Sequence, residues 1–192
     1  MESLLKLIYT LGKNLHNEIT IRQLSKEAKV PYTTAYRLIS QNNSLLKINK
    51  KGNIKLCSLN TENNIVKNYL ILAERSQVEL FKKKNPLFKV LQRELSVGDY
   101  TLVLFGSRAD GTQRKQSDVD FCVINQNGKK HISFSKFELL FKMEVNALFF
   151  TRKEFKLMLK DKEHNVGKEI LKNHIILHGE EYFWNLVWKY DV

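Results

Sequence analysis

Hydrophobic positions in the first third of the chain follow a helical period and then a strand period. Apolar residues recur every three or four positions between residues 4 and 15, which predicts an amphipathic helix. The apolar spacing between residues 21 and 39 suits two helices that cross steeply, with Val30 in the turn between them. Two short strands are predicted next, at 45–49 and 54–59, joined by a basic hairpin turn.

A long helix is predicted after that hairpin. Residues 63–84 contain neither proline nor glycine, and their apolar side chains trace one helical face. Asn85-Pro86 interrupts the pattern. The predicted organisation is therefore an N-terminal domain at 1–60, a connecting helix at 61–85 and a C-terminal domain at 86–192.

In the C-terminal domain, segments with strand patterns alternate with helical segments. This alternation predicts an α/β layer with a small mixed sheet, so the whole chain is expected to be α+β. The predicted strands cover 100–105, 117–124, 144–150 and 175–178, and the predicted helices cover 87–95, 135–141, 153–160, 166–172 and 180–189.

The segment between the first two of these strands is the most informative part of the chain. Gly106 and Ser107 follow an apolar strand, where a backbone without bulk can approach a phosphate. Asp118 and Asp120 stand two apart on the next strand, so both carboxylates face the same side. Adjacent carboxylates repel each other, and a divalent cation such as Mg²⁺ would favour keeping them together. Two solvated aspartates on an edge strand are the alternative.

The pattern Gly106-Ser107-x-Ala109-x-Gly111, followed by Ser117-Asp118-Val119-Asp120, resembles the signature of the DNA polymerase β superfamily of nucleotidyltransferases. It is most similar to the minimal nucleotidyltransferases. The resemblance implies that the Gly-Ser pair holds a nucleoside triphosphate and that the aspartates bind two Mg²⁺ or Mn²⁺ ions. The implied reaction is in-line attack of an acceptor hydroxyl on the α-phosphorus, with release of pyrophosphate. Arg108, beside the Gly-Ser pair, is a further candidate for binding the nucleotide.

The resemblance also implies a third carboxylate, on the strand after the intervening helix. Asn146 occupies that position in this sequence, and Glu144 lies two residues earlier on the same face. Either Glu144 supplies the missing charge, as metal ligand or as base, or the site binds nucleotide without transferring it. An asparagine carbonyl can ligate Mg²⁺ but cannot serve as a base. The predicted catalytic residues are Asp118, Asp120, Glu144 and Asn146, and the predicted metal ligands are Asp118, Asp120 and Glu144.

The N-terminal domain resembles a winged helix-turn-helix of the prokaryotic regulator type. Lys29 occupies the turn position where that motif often has glycine, and Thr33 is a predicted N-cap of the second helix. The resemblance implies that this helix enters the major groove of double-stranded DNA and that the hairpin lies near the phosphates. A docking module that binds protein is the alternative. The implied DNA contacts are Tyr32, Thr33, Thr34, Tyr36 and Arg37 on the helix, and Lys50 and Lys51 in the hairpin.

Charge is distributed unevenly and supports different partners for the two domains. Of the net charge of +12, residues 1–60 supply +7, from ten Lys or Arg against three acidic residues. A basic surface of this kind favours a polyanion, with nucleic acid as the first candidate. There is no run of about 18 apolar residues, so no membrane span is expected. The start of the chain lacks a signal-peptide pattern, and Cys57 and Cys122 lack metal-type spacing, so a reducing cytoplasm is predicted.

These features together predict a protein that binds Mg-NTP, transfers a nucleoside monophosphate to an unknown acceptor and binds DNA through its winged helix. Two alternatives remain open at this point. The chain could be a DNA-binding regulator whose nucleotidyltransferase-like domain only senses nucleotide, or an antitoxin that modifies or masks a helical toxin. The long helix could also form the seam of a homodimer.

Overall fold

The chain divides into two compact units, Met1–Ser76 and Gln77–Val192. The computed structural model describes residues 2–15, 17–95, 98–114, 117–129 and 132–188. The boundary between the units falls within the long helix that the sequence predicts as a connector, so each unit includes part of that helix. Across the described ranges, no helix has both the length and the apolar character needed to cross a lipid bilayer.

The first unit combines helices with a three-stranded antiparallel sheet of order β1-β3-β2. The elements of this unit are α1 (Ser3–Gly12), β1 (Ile19–Thr20), α2 (Ile21–Glu27), α3 (Tyr32–Gln41), β2 (Leu46–Lys51), β3 (Ile54–Leu59) and the beginning of α4 (Ile65–Lys84). Strand β1 has two residues, too few to show an alternating pattern, and the sequence does not predict it.

The turn between α2 and α3 is tight and has a defined backbone geometry. Lys29 adopts a left-handed conformation with φ of 52°, the conformation for which a glycine would be favoured. Val30 is buried, and its carbonyl accepts a hydrogen bond of 2.8 Å from the Ser25 hydroxyl. The predicted N-cap at Thr33 is wrong, because α3 already begins at Tyr32, directly after Pro31. The fixed φ of proline is compatible with a helix start, and Pro31 makes no side-chain capping hydrogen bond.

The second unit contains a four-stranded mixed sheet of order β6-β5-β4-β7, in which only β5 and β6 are parallel. The prediction of an α+β protein with a small mixed sheet is confirmed. After the end of α4, its elements are α5 (Leu87–Glu94), β4 (Thr101–Phe105), α6 (Gly106–Asp110), β5 (Val119–Asn125), α7 (Ser135–Phe141), β6 (Val145–Thr151), α8 (Arg152–Lys160), α9 (Val166–Lys172), β7 (Ile175–His178) and α10 (Glu180–Val187).

The segment after β4 differs from the sequence-based prediction. Its polar composition predicts a loop, but Gly106–Asp110 form the short helix α6. Gly111 ends this helix in a left-handed conformation, φ 73°, and donates its backbone N–H to the Ser107 carbonyl. A helix of one turn is too short to show apolar periodicity, so the pattern could not reveal it.

The two faces of this sheet pack against different helices. One face carries alternate residues of β4 and β5, such as Leu104 and Phe121, which pack against aromatic side chains of α5 and α7, including Phe88 and Phe137. Helices α8 and α10 contact β5, β6 and β4, and their buried residues Phe155, Phe183 and Trp184 do not belong to that cluster. We therefore place α8 and α10 on the opposite face.

Asp118 and Asp120 project toward the face that bears α8 and α10. They alternate along the chain with Val119 and Phe121, which are fully buried in the other core. The same strand continues through Cys122, whose free thiol is buried, and burial raises the pKa of that thiol. The buried core side of β5 therefore determines which way the two carboxylates face.

Candidate active site

The sheet register places Asp120 between the end of β4, which leads into Gly106, and Asn146 of β6. It lies opposite Phe105 of β4, the residue before Gly106, and opposite Asn146 of β6. Residues directly opposite each other in a sheet share a face, so the side chains of Asp120 and Asn146 lie together. Asp118, just before the first residue of β5, is on the same face because it is two residues earlier.

Gly106 lies directly against the carboxylate of Asp120. A Cβ atom at Gly106 would overlap with Oδ2 of Asp120 and lie 3.2 Å from its Cγ, and the backbone has φ of 68°. Both conditions exclude ordinary side chains at this position. The glycine that begins α6 is thus required for the backbone to pass beside the acidic pair.

Asn146 connects the two aspartates. Its side-chain nitrogen lies 3.2 Å from Oδ2 of Asp118 and 3.4 Å from Oδ1 of Asp120, and donates to both. These contacts place a hydrogen-bond donor between two negative charges and so reduce their repulsion. Rotation of the amide by half a turn would instead present its oxygen to a cation.

Glu144, the predicted third metal ligand, is placed differently from Asn146. Its side chain is exposed, and its backbone carbonyl accepts a hydrogen bond of 2.9 Å from the Val119 N–H. Within the described part of the chain, no group of three His, Cys, Asp or Glu side chains is close enough to hold a metal ion. The site therefore consists of two carboxylates and one amide, with Glu144 outside that cluster.

Arg108 is held within the protein and contacts the segment that leads into β5. The residue is 9% exposed; its Nε donates to the Asp118 carbonyl at 3.0 Å, and its Nη2 donates to the Ser117 carbonyl. These bonds fix the backbone on which Asp118 sits. From the sequence, Arg108 is predicted to bind the nucleotide, because it is a cation next to the Gly-Ser pair. The sequence does not show the direction in which its side chain points.

Ser107 lies in the first turn of α6, next to Gly106 and half-buried. Its carbonyl accepts hydrogen bonds from Gly111 and, at 2.9 Å, from the Thr112 backbone N–H. The first N–H groups of a helix have no partner within that helix. The predicted Gly-Ser pair thus presents backbone donors close to Asp120.

The predicted DNA-contacting residues of the first unit lie mainly at its surface. Tyr32, Thr33 and Arg37 are exposed, while Thr34 and Tyr36 are half-buried. The ring planes of Tyr32 and Tyr36 are stacked, with centroids 6.4 Å apart. These side chains form one continuous part of the α3 surface.

Lys55 of β3 links this helix to the hairpin, a contact that sequence reasoning misses. Its ammonium group lies 2.7 Å from the Tyr36 hydroxyl. The two hairpin lysines also differ, because Lys51 forms an ion pair of 3.0 Å with Glu18, whereas Lys50 is exposed. The sequence shows four lysines in the hairpin but not which of them is engaged by a neighbour.

Comparison with known protein families supports the interpretation of the second unit. Residues 85–178 match the family model of the nucleotidyltransferase domain. The match supports a nucleotidyltransferase domain in this part of the chain. No curated protein and no solved structure matches the sequence. The matched segment contains Gly106, Asp118, Asp120 and Asn146, so the domain assignment includes the whole acidic cluster and supports a nucleotidyl-transfer function in general terms.

We predict that Gly106→Ala destabilises the protein more than Gly111→Ala does. Both glycines have positive φ, so alanine costs about 1–2 kcal/mol at either position. Only at Gly106 would the new methyl group also collide with Asp120, because nothing lies within 4 Å of a Cβ at Gly111. The additional loss is expected to be about 1 kcal/mol or more, measured as the free energy of unfolding in urea. Equal losses for the two variants would show that the Gly106–Asp120 contact does not constrain the backbone.

Proposed function

We propose that the second unit binds a nucleoside triphosphate with a divalent cation and transfers the nucleoside monophosphate to an acceptor hydroxyl. The observation that carries this proposal is the contact of Asp118, Asp120 and Asn146 beside Gly106. These side chains offer oxygen ligands suited to a divalent cation such as Mg²⁺. Beside them, Gly106 has no side chain that would keep a phosphate away from the backbone. The family match of this segment agrees with this chemistry.

The residues of this cluster fit a Mg²⁺ site. Carboxylate oxygens of Asp118 and Asp120 and the carbonyl oxygen of Asn146 are the donors that such an ion accepts. When bound, the ion would neutralise charge on the triphosphate and polarise the phosphorus that is attacked. The sequence-based prediction of two ions with three carboxylates remains a proposal that would require Glu144 to move toward the pair.

The residues of the site have separate roles under this proposal. Asp118 and Asp120 hold the cation, and the backbone N–H groups at Gly106 and Ser107 bind phosphate oxygens. Arg108 acts as a positioning residue, since it holds the carbonyls just before β5. The carboxylate of Glu144 is exposed on the same face as Asn146, where it could accept the proton of the acceptor hydroxyl. The oxygen of that hydroxyl then forms the new bond to phosphorus as pyrophosphate leaves.

We predict that Asp118→Asn and Asp120→Asn each reduce nucleotide transfer by about 100-fold or more, because each removes a charge that the cation requires. Transfer is measured with NTP labelled on the α-phosphate, Mg²⁺ and a cell extract as the source of acceptor. Asp110→Asn is the matched control, since Asp110 is an exposed residue at the end of α6.

The second candidate function is nucleotide sensing without transfer. It is favoured by one observation: Asn146, which cannot act as a base, occupies the position of the third carboxylate. Calorimetry with Mg-ATP or Mg-GTP distinguishes the two. Binding that Asp118→Asn abolishes, with no label transferred by the wild-type chain, would replace the transferase proposal with the sensor. Absence of both binding and transfer would contradict both functions.

A further prediction concerns the amide itself. In Asn146→Asp, three carboxylates would lie together without the amide donor, so the melting temperature without metal should fall. Added Mg²⁺ should raise the melting temperature of the variant more than that of the wild type, because the third charge strengthens cation binding. Asn127→Asp is the control, since that exposed side chain accepts from Lys129 through its oxygen and keeps this role as a carboxylate. Identical Mg²⁺ responses for Asn146→Asp and the wild type would argue against a cation at this site.

For the first unit, we propose a winged helix-turn-helix that binds double-stranded DNA. The support is the tight turn at Lys29 between α2 and α3, the exposed surface of α3 and the antiparallel hairpin β2–β3. A two-residue turn with Gly52 at φ 59° closes this hairpin. Lys50 lies opposite Lys55 in the sheet, and Lys55 contacts Tyr36 of α3.

We predict that Arg37→Ala and Lys50→Ala weaken binding to duplex DNA in a mobility-shift assay. Lys50→Ala should reduce the slope of log affinity against log salt by about 1, as expected for one lost phosphate contact. Lys51→Ala is the matched comparison and should change the slope less, because Glu18 already pairs with that lysine. If the wild-type chain ignores duplex DNA even at low salt, this unit is a docking module instead.

A further inference from the structure

A basic groove of about 620 Å³ lies between α8 and α10 in the second unit, apart from the acidic cluster. Its cationic lining comes from one helix, and its lining from α10 includes an aromatic ring. Its lining includes Arg152, Lys153, Lys156, Leu157, Lys160 and Tyr182. None of these is among the site residues predicted from the sequence, although the spacing of the four cations is visible there.

The cations of the groove form a row along α8. Arg152, Lys156 and Lys160 are four residues apart and therefore lie on one side of the helix, spanning about 12 Å. Lys156 and Lys160 are exposed, and no described residue forms an ion pair with either. Like charges at this spacing repel each other, so an anionic partner would stabilise the row.

The first cation of the row is held in place by its neighbours. Arg152 pairs with Asp99 at 2.6 Å, and its guanidinium carbon lies 5.4 Å from the centre of the Tyr182 ring. Glu154, in the first turn of α8, is engaged in the capping box with Thr151. The Thr151 backbone N–H and hydroxyl donate to that carboxylate and hold its pKa below its usual value. The described residues that line the groove include four cations and no acidic side chain, so the lining is positively charged.

Apolar and aromatic surface lies among these cations. Leu157 is 58% exposed and Tyr182 is 43% exposed, both within the lining of the groove. An inorganic anion would bind the cations but leave the leucine and the tyrosine ring in contact with water. A nucleic-acid duplex keeps its bases stacked inside, so its bases could not contact these two side chains. A single strand offers phosphates to the lysines and base faces to the ring and the leucine.

Helix α8, which carries the cations of the groove, directly follows β6, the strand that contains Asn146. Strand β6 runs from Asn146, opposite Asp120, to Thr151 at the other end, where α8 begins. The chain then returns through α8 and α9 to Ile175, which pairs with Leu104, one residue before Phe105. The lysine row therefore lies on the segment that returns toward the end of the sheet that carries the aspartates.

We propose that the groove between α8 and α10 binds single-stranded nucleic acid. The lysine row contacts the phosphates, and Tyr182 stacks on a base. The proposal concerns binding only, so it holds or fails independently of nucleotide transfer and of duplex binding by the first unit.

The test is fluorescence anisotropy of the full chain with labelled single-stranded RNA and DNA oligonucleotides of the same mixed sequence. The double variant Lys156→Glu/Lys160→Glu should weaken binding by about 10-fold or more, because two phosphate contacts become repulsive. The matched control is Lys89→Glu/Lys172→Glu, which makes the same charge change at two exposed lysines outside the groove and should have a much smaller effect. Equal weakening by the two double variants would overturn the proposal, as would no binding of either oligonucleotide.

Variants of Tyr182 test the stacking contact without changing charge. Tyr182→Ala should weaken binding by about 5-fold or more, the lower end of the range for loss of one stacked base, while Tyr182→Phe should bind like the wild type. Arg37→Ala should leave single-strand affinity unchanged, which separates this groove from the first unit. Single-strand binding that disappears in Arg37→Ala, or that is unaffected by Tyr182→Ala, would overturn the proposal. Unchanged melting temperatures establish that each variant is folded.

Discussion

The second unit depends on one electrostatic constraint: two carboxylates must remain adjacent although they repel each other. Asp118 and Asp120 face one side because Val119 and Phe121 are buried on the other, and reversing them would expose this part of the core. The amide of Asn146 donates to both, which offsets part of their repulsion. The sheet register then brings Gly106 against Asp120, so the same interaction determines where α6 can begin.

Arg108 supports this arrangement from the main-chain side. A buried guanidinium needs hydrogen-bond partners, and here Nε and Nη2 donate to the carbonyls of Asp118 and Ser117. These bonds hold the entry to β5, before the first paired residue of the strand. The backbone before the strand is therefore positioned by a side chain, and the backbone within it by the sheet.

Sequence patterns predicted most of the fold because long elements express their period over several residues. The predicted helices over 63–84 and 153–160 are both found. Strand β1 and helix α6 could not be recognised, since two and five residues are too short to show a period. The position of Asn146 was readable from the sequence, but its contacts with both aspartates, and the burial of Arg108, depend on side-chain directions that no spacing rule determines.

The difference between an amide and a third carboxylate has a consequence for how a cation would enter this site. Three carboxylates attract a cation strongly before any nucleotide is present, whereas Asp118 and Asp120 already have a hydrogen-bond donor in Asn146. A cation must break those two bonds and turn the amide, which lowers the affinity of the empty site. A triphosphate supplies the negative charge that the third carboxylate would have provided. Under the proposed function, cation and nucleotide therefore bind together, and neither binds tightly without the other.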